Sequence, residues 1–123
     1  MRSGEVMKGV LEEKSFQFAI KIVELNRYLV SEKKEYVLSK QVLRSGTSIG
    51  ANVSEAQFGQ SRADFLSKMS IALKEAHETR YWLRLLEASS VIDLSYSSPL
   101  LNECNELINM LVVTCKTTKL NAS

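Results

Sequence analysis

Four polar side chains, Gln41, Ser48, Asn52 and Glu55, stand at intervals of seven, four and three residues. At about 100° of rotation per helical residue they share one strip flanking an apolar stripe, and Glu75 is grouped with them across the following turn. Such a strip either forms a hydrogen-bonded network, inside a bundle or at a subunit boundary, or it binds a ligand; the network is the simpler reading. Glu75, His77 and Glu78 raise a metal reading, because carboxylate bundles that hold two metal ions take Glu-x-x-His pairs from two helices. His77 is the sole histidine and follows Glu75 by two residues, which fails that spacing. No metal or cofactor is therefore assigned. Nucleophilic catalysis fares no better: Cys104 and Cys115 fall on an apolar stripe, no second histidine could orient a triad, and there is no phosphate-cradling Gly-rich loop. The expectation is a protein that is not an enzyme.

Six cations form the other candidate group. In an antiparallel helix pair turning near residue 60, Lys40 falls opposite roughly Arg80 and Arg44 lies about one turn away. Arg84, Lys33 and Lys34 share that end, with Glu32, Glu35, Glu78 and Glu87 near enough to neutralise part of the charge. The cluster is a candidate nucleic-acid contact, weighed against an ordinary solvated bundle end. A third group, Ile71, Trp82 and Leu85, projects about 100° away from the stripe of Phe65, Ala72 and Leu83. One core cannot easily bury both directions, so these three are expected at a subunit contact of a homo-oligomer.

The elements that must position these residues are helices. Pro99 is the only proline and glycine numbers five, so helix-breaking punctuation is nearly absent between Glu12 and Ser89. A first helix is expected from about Glu12 to Lys33, with Phe16, Ala19, Val23, Asn26 and Val30 on one stripe and Phe18, Ile22, Leu25 and Leu29 on another. A second follows from about Tyr36 to Phe58, with Leu38, Val42, Ser45, Ile49, Val53 and Ala56 inward; Gly46 and Gly50 within it point to close packing or a flat outer surface. Ser61, with Asp64 three residues on, caps a third helix whose core stripe is Phe65, Met69, Ala72, Ala76, Leu83 and Leu86. Ser98 before Pro99 reads as the start of a fourth, carrying Leu101, Cys104, Ile108, Leu111 and Cys115 to about Thr117. The whole is one domain over 1–123, all-α, an antiparallel up-down-up-down four-helix bundle with flexible ends at 1–11 and 118–123.

Composition agrees with one modest core. The chain has 123 residues, 45% of them hydrophobic, and sixteen Lys and Arg against fourteen Asp and Glu, a formal charge of +2. That balance permits nucleic acid as a partner without requiring it. Cys104 and Cys115, eleven residues apart on one helix, are roughly 16 Å apart along its axis, too far for an internal disulfide. Buried thiols of this kind suit a reducing compartment, and with no signal-peptide pattern and no membrane-spanning run the expectation is a cytoplasmic protein without a membrane partner.

From Gln41 to Ser89 the chain resembles the bacterial four-helix-bundle family named for proteins encoded in intervening sequences of large-subunit ribosomal RNA genes, whose members are often labelled ribosomal proteins. The resemblance rests on Ser48, Asn52, Glu55 and Ala56, then Ser61 and Phe65, then Ala72, Glu75 and Glu78, in order and spacing. It implies a homopentameric ring of bundles, and a related branch comprises accessory proteins of diversity-generating retroelements, which associate with reverse transcriptase and nucleic acid through basic surfaces. The leading reading is a non-enzymatic oligomeric bundle that binds RNA or a ribonucleoprotein through the six cations. The rival is a protein-interaction scaffold in which the polar strip and the Trp82 patch serve only assembly, and a metal-dependent enzyme is a remote third.

Overall fold

Leu11, Ser15, Phe18, Ile22, Leu25 and Leu29 recur at alternating steps of four and three, the spacing that keeps one helix face turned to a core, and all six are buried. The computed structural model describes residues 3–121, with side chains from residue 9 onward. Four helices make it up: α1 (Ser3–Ser31), α2 (Leu38–Ala56), α3 (Arg62–Ala88) and α4 (Leu94–Asn121). Each helix packs on its neighbours in sequence, and α1 closes on α4. Partners descend on one helix as they ascend on the next, Asn26–Ser39 then Ser15–Gly50 for α1 and α2, Ser45–Thr79 then Glu55–Lys68 for α2 and α3, Ser70–Cys115 then Arg80–Asn105 for α3 and α4, and Lys14–Glu106 then Tyr28–Tyr96 for α1 and α4, so adjacent helices run antiparallel.

The inner faces of α2 and α3 are those expected, with Val42, Ser45, Ile49, Val53 and Ala56 meeting Met69, Ala72, Ala76, Leu83 and Leu86. On α1 only the second of the two stripes enters the core. Phe16 is 62% exposed and Val30 37%, while Ala19, Val23 and Asn26 between them are half-buried, because the bundle covers one side of α1 and the Phe16 stripe lies along its flank. Gly46 and Gly50 serve close packing: a Cβ at Gly46 would stand 2.8 Å from Ile22 of α1, and one at Gly50 would stand 3.2 Å from the Ser15 carbonyl.

Helix boundaries differ from expectation at both ends of the chain. Helix α1 begins at Ser3, nine residues before Glu12, and buried Leu11 adds a further turn to its core stripe. Helix α4 begins at Leu94, with Pro99 inside its second turn. Asp93 is its cap, accepting from the Tyr96 backbone N–H at 3.0 Å and from Ser95 Oγ at 2.6 Å. That cap, the buried Ile92 and Tyr96 stacked on Tyr28 at 4.9 Å hold the turn before Pro99, whose missing N–H then costs one bond, to the Ser95 carbonyl. Positions 1, 2, 122 and 123, the outermost parts of the ends expected to be flexible, lie outside the described residues.

Candidate functional site

Antiparallel packing of α2 on α3 brings two of the candidate groups together. Ser45 and Thr79 form the floor, where Thr79 Oγ1 donates to Ser45 Oγ at 2.9 Å in a fully buried contact. With the Glu55–Lys68 pair at 3.7 Å this fixes a register that sets Gln41 across from Trp82 and Asn52 across from Ile71. The polar strip and the Ile71–Trp82–Leu85 row are therefore the two walls of one groove. Its middle is crossed by Arg44, which pairs with Glu75 at 3.2 Å and with Glu78, and Glu78 also accepts from Trp82 Nε1 at 3.1 Å. Trp82 and Leu85 are half-buried, and Ile71 is 39% exposed.

Within the single chain the strip does not form the expected network. Asn52 is half-buried and its Nδ2 donates to the Ser48 carbonyl, one turn back on its own helix, at 2.8 Å; Gln41 and Glu55 are exposed. Glu75 is the member with a firm partner, its side chain 13% exposed beneath Arg44.

The six cations do not gather into one patch. Glu78 and Arg80, two residues apart, leave α3 on opposite flanks, Glu78 toward α2 and Arg80 toward α4, where it donates to Asn105 Oδ1 at 3.1 Å and lies 3.1 Å from His77 Nδ1. Arg84 is exposed one turn beyond. Arg44 is held by its two carboxylates in the groove, and Lys40 is exposed on α2. Lys33 and Lys34 sit in the α1–α2 connection, Lys33 5.7 Å from the Tyr28 ring centre. Helical phase separates what distance along the bundle axis alone had placed together.

The sequence profile described as 23S rRNA-intervening sequence protein matches residues 10–113. The chain belongs to that family. A solved structure from Bacteroides thetaiotaomicron, described as a protein with unknown function from the S23 ribosomal protein family, superposes with a TM-score of 0.88. It is 49% identical, over 89% of this chain and 98% of that one. Among curated proteins, none matches the chain.

In this intervening-sequence protein the cysteines are structural. Burial pushes the Cys104 thiol up to about 12, against a smaller opposing effect from the Arg80 charge, and its Sγ donates to the Ala76 carbonyl at 3.3 Å. Cys115 is buried 3.9 Å from Ser70 Oγ. Among the described residues no three His, Cys, Asp or Glu side chains converge as a metal site, and no helix is long and apolar enough to cross a membrane. Sequence reading passed over Thr79, His77 as a partner of Arg80, Tyr81 and the asparagines of α4. The signal available for the last was their spacing, Asn102, Asn105 and Asn109 at three and four.

Proposed function

We propose that this protein is a non-enzymatic, cytoplasmic accessory protein that binds RNA, alone or within a ribonucleoprotein, as a ring of copies. The observation carrying the RNA half is that Arg80 and Arg84 have no carboxylate partner among the described residues: Arg80 is held by Asn105 and His77, unlike the compensated Arg44. A guanidinium with no carboxylate beside it keeps its charge and fork for a phosphate. The family's link to 23S rRNA genes and the neighbour's ribosomal family label fit the same reading. The oligomeric half is supported by the α2–α3 groove, where half-buried Trp82 and Leu85 lie beside a compensated ion pair, the mixture found at protein contacts. The homopentamer implied by family resemblance would repeat each basic surface five times and raise avidity without any new contact.

Filter binding of the purified protein to a structured RNA across a salt series tests this. Affinity should fall steeply with salt through counterion release. No binding even at low salt would leave the protein-interaction scaffold as the better reading, with the α2–α3 groove serving assembly alone.

A further inference from the structure

Carboxylates are not spread evenly over this bundle. The two acids of α4 beyond its first turn, Glu103 and Glu106, both turn to α1, where Lys21 and Lys14 meet them. Glu75 and Glu78 of α3 both turn to α2, where Arg44 meets them. The outer surface between α3 and α4 is thereby left without an acid along most of its length; Glu87, at one end, accepts from Ser97. That surface presents His77, Arg80, Tyr81 and Arg84 from α3, and Asn102, Asn105, Asn109 and Lys116 from α4, all exposed except half-buried Arg80.

Their chemistry is complementary to one kind of ligand. Arg80 and Arg84 are one turn apart, about 6 Å along the axis, and Lys116 extends the cationic line roughly 16 Å past Asn105. Cations so spaced suit successive phosphates, a kind of contact that leaves base identity unread. Tyr81, 59% exposed and braced edge-on by Trp82 at 5.2 Å, offers a ring face of the sort on which an unpaired base stacks. The asparagine amides each offer donors and an acceptor to base edges. In duplex RNA the bases are stacked and paired, so a tyrosine platform has nothing to take up; in an unpaired strand they are free.

Resting on the RNA-binding reading above, we propose that the α3–α4 face is the RNA site and that its ligand is an unpaired RNA strand, phosphates on Arg80, Arg84 and Lys116 and a base on Tyr81. The α1–α2 connection, with Lys33 and Lys34, takes no part.

The protein is titrated by fluorescence anisotropy against a labelled unstructured RNA oligonucleotide and a blunt RNA duplex, with circular dichroism confirming the fold of each variant. The single strand should bind more tightly than the duplex. Arg80→Gln with Arg84→Gln should weaken it about tenfold at low salt and reduce the log–log salt slope by about 1.4, two phosphate contacts on a single strand. Arg84→Gln alone, which touches no structural partner, should reduce the slope by about half as much. Tyr81→Leu should cost about tenfold with the slope unchanged. Lys33→Gln with Lys34→Gln should leave affinity within about twofold. Duplex preferred over single strand, or loss confined to the Lys33 and Lys34 variant, overturns this assignment while RNA binding itself stands. If neither RNA binds, the broader RNA reading falls and this assignment with it.

Discussion

Gly46 shows how a single hydrogen in place of a methyl sets the spacing of two helices. Alanine there gains about 1 kcal/mol of helix propensity, yet its Cβ would meet both γ-carbons of Ile22 at 2.8 Å. Ile22 is fully buried and branched at Cβ, so it cannot swing aside and α1 must shift. Overpacking of this kind costs about 1–3 kcal/mol, so Gly46→Ala should lower stability by about 1 kcal/mol net in urea denaturation, where an exposed helical glycine would show a gain. Cys104 is a second residue-scale case. A thiol pushed up to about 12 by burial carries almost no thiolate at neutral pH. The native protein should therefore leave Cys104 unmodified by iodoacetamide at pH 7.5, as read by mass spectrometry, and expose it only in denaturant.

At the scale of elements, α2 starts without help from its own cap residue. Val37 has no side-chain acceptor, and Glu35, two residues earlier, supplies it instead, accepting from the Ser39 N–H at 2.7 Å and the Val37 N–H at 3.2 Å. Burial pulls the Glu35 carboxyl upward, but the bonds from Ser39, Leu38 and Val37 together outweigh it and hold it below its usual value. A depressed carboxylate contributes stability above its unfolded value and loses it as pH falls through the folded one. Glu35→Gln should thus lower stability at pH 7, and the gap from wild type should narrow as the buffer is taken below the ordinary carboxylate range. Denaturation midpoints of the two proteins across that range check it. The helices themselves are legible from sequence, and the core stripes of α2 and α3 and the Ser61 cap, whose Oγ accepts from Asp64 N–H at 3.0 Å, are where spacing places them. α1 has two apolar stripes, and spacing cannot choose between them; the choice is made by which side α2 and α4 cover. Local chemistry also misled at Ser98–Pro99, where a correct N-terminal signal was outweighed by Asp93 and by Tyr96 stacking on Tyr28. The candidate site was legible residue by residue but not as an arrangement. Arg80 and Arg44 had been placed together by their distance along the axis, and the flank each leaves from depends on helical phase against neighbours the sequence does not display.

At the scale of the whole molecule, a closed ring imposes a condition that a two-fold dimer does not. Each copy must offer two different surfaces, since a head-to-tail contact joins unlike patches. The α2–α3 groove with Trp82 is one candidate, and the solvent side of α1, where Phe16 is 62% and its neighbour one turn on, Ile20, 39% exposed, is another. Placing assembly on these two would leave the α3–α4 face open to solvent in every copy, and the proposed pentamer, at +2 a chain, would carry a formal +10. Trp82→Ala should reduce the assembly to small species in light scattering at micromolar concentration, with helicity intact, because large aromatics dominate contact energetics. Phe16→Asp should do the same by burying an unpaired charge in the opposing surface. The decisive step is to mix the two variants. Each retains the surface the other lacks, so a head-to-tail contact predicts that a heterodimer forms through the one intact pairing. Patches that each paired only with their own copy would gain nothing from the mixture, since neither damaged patch would find an intact partner of the other kind. Appearance of the mixed dimer therefore supports pairing of these two unlike patches, and a wild-type assembly of more than two copies then makes that pairing head-to-tail; absence of the mixed dimer with both variants folded would remove the pairing, and a wild-type protein already monomeric at these concentrations would remove the oligomer altogether.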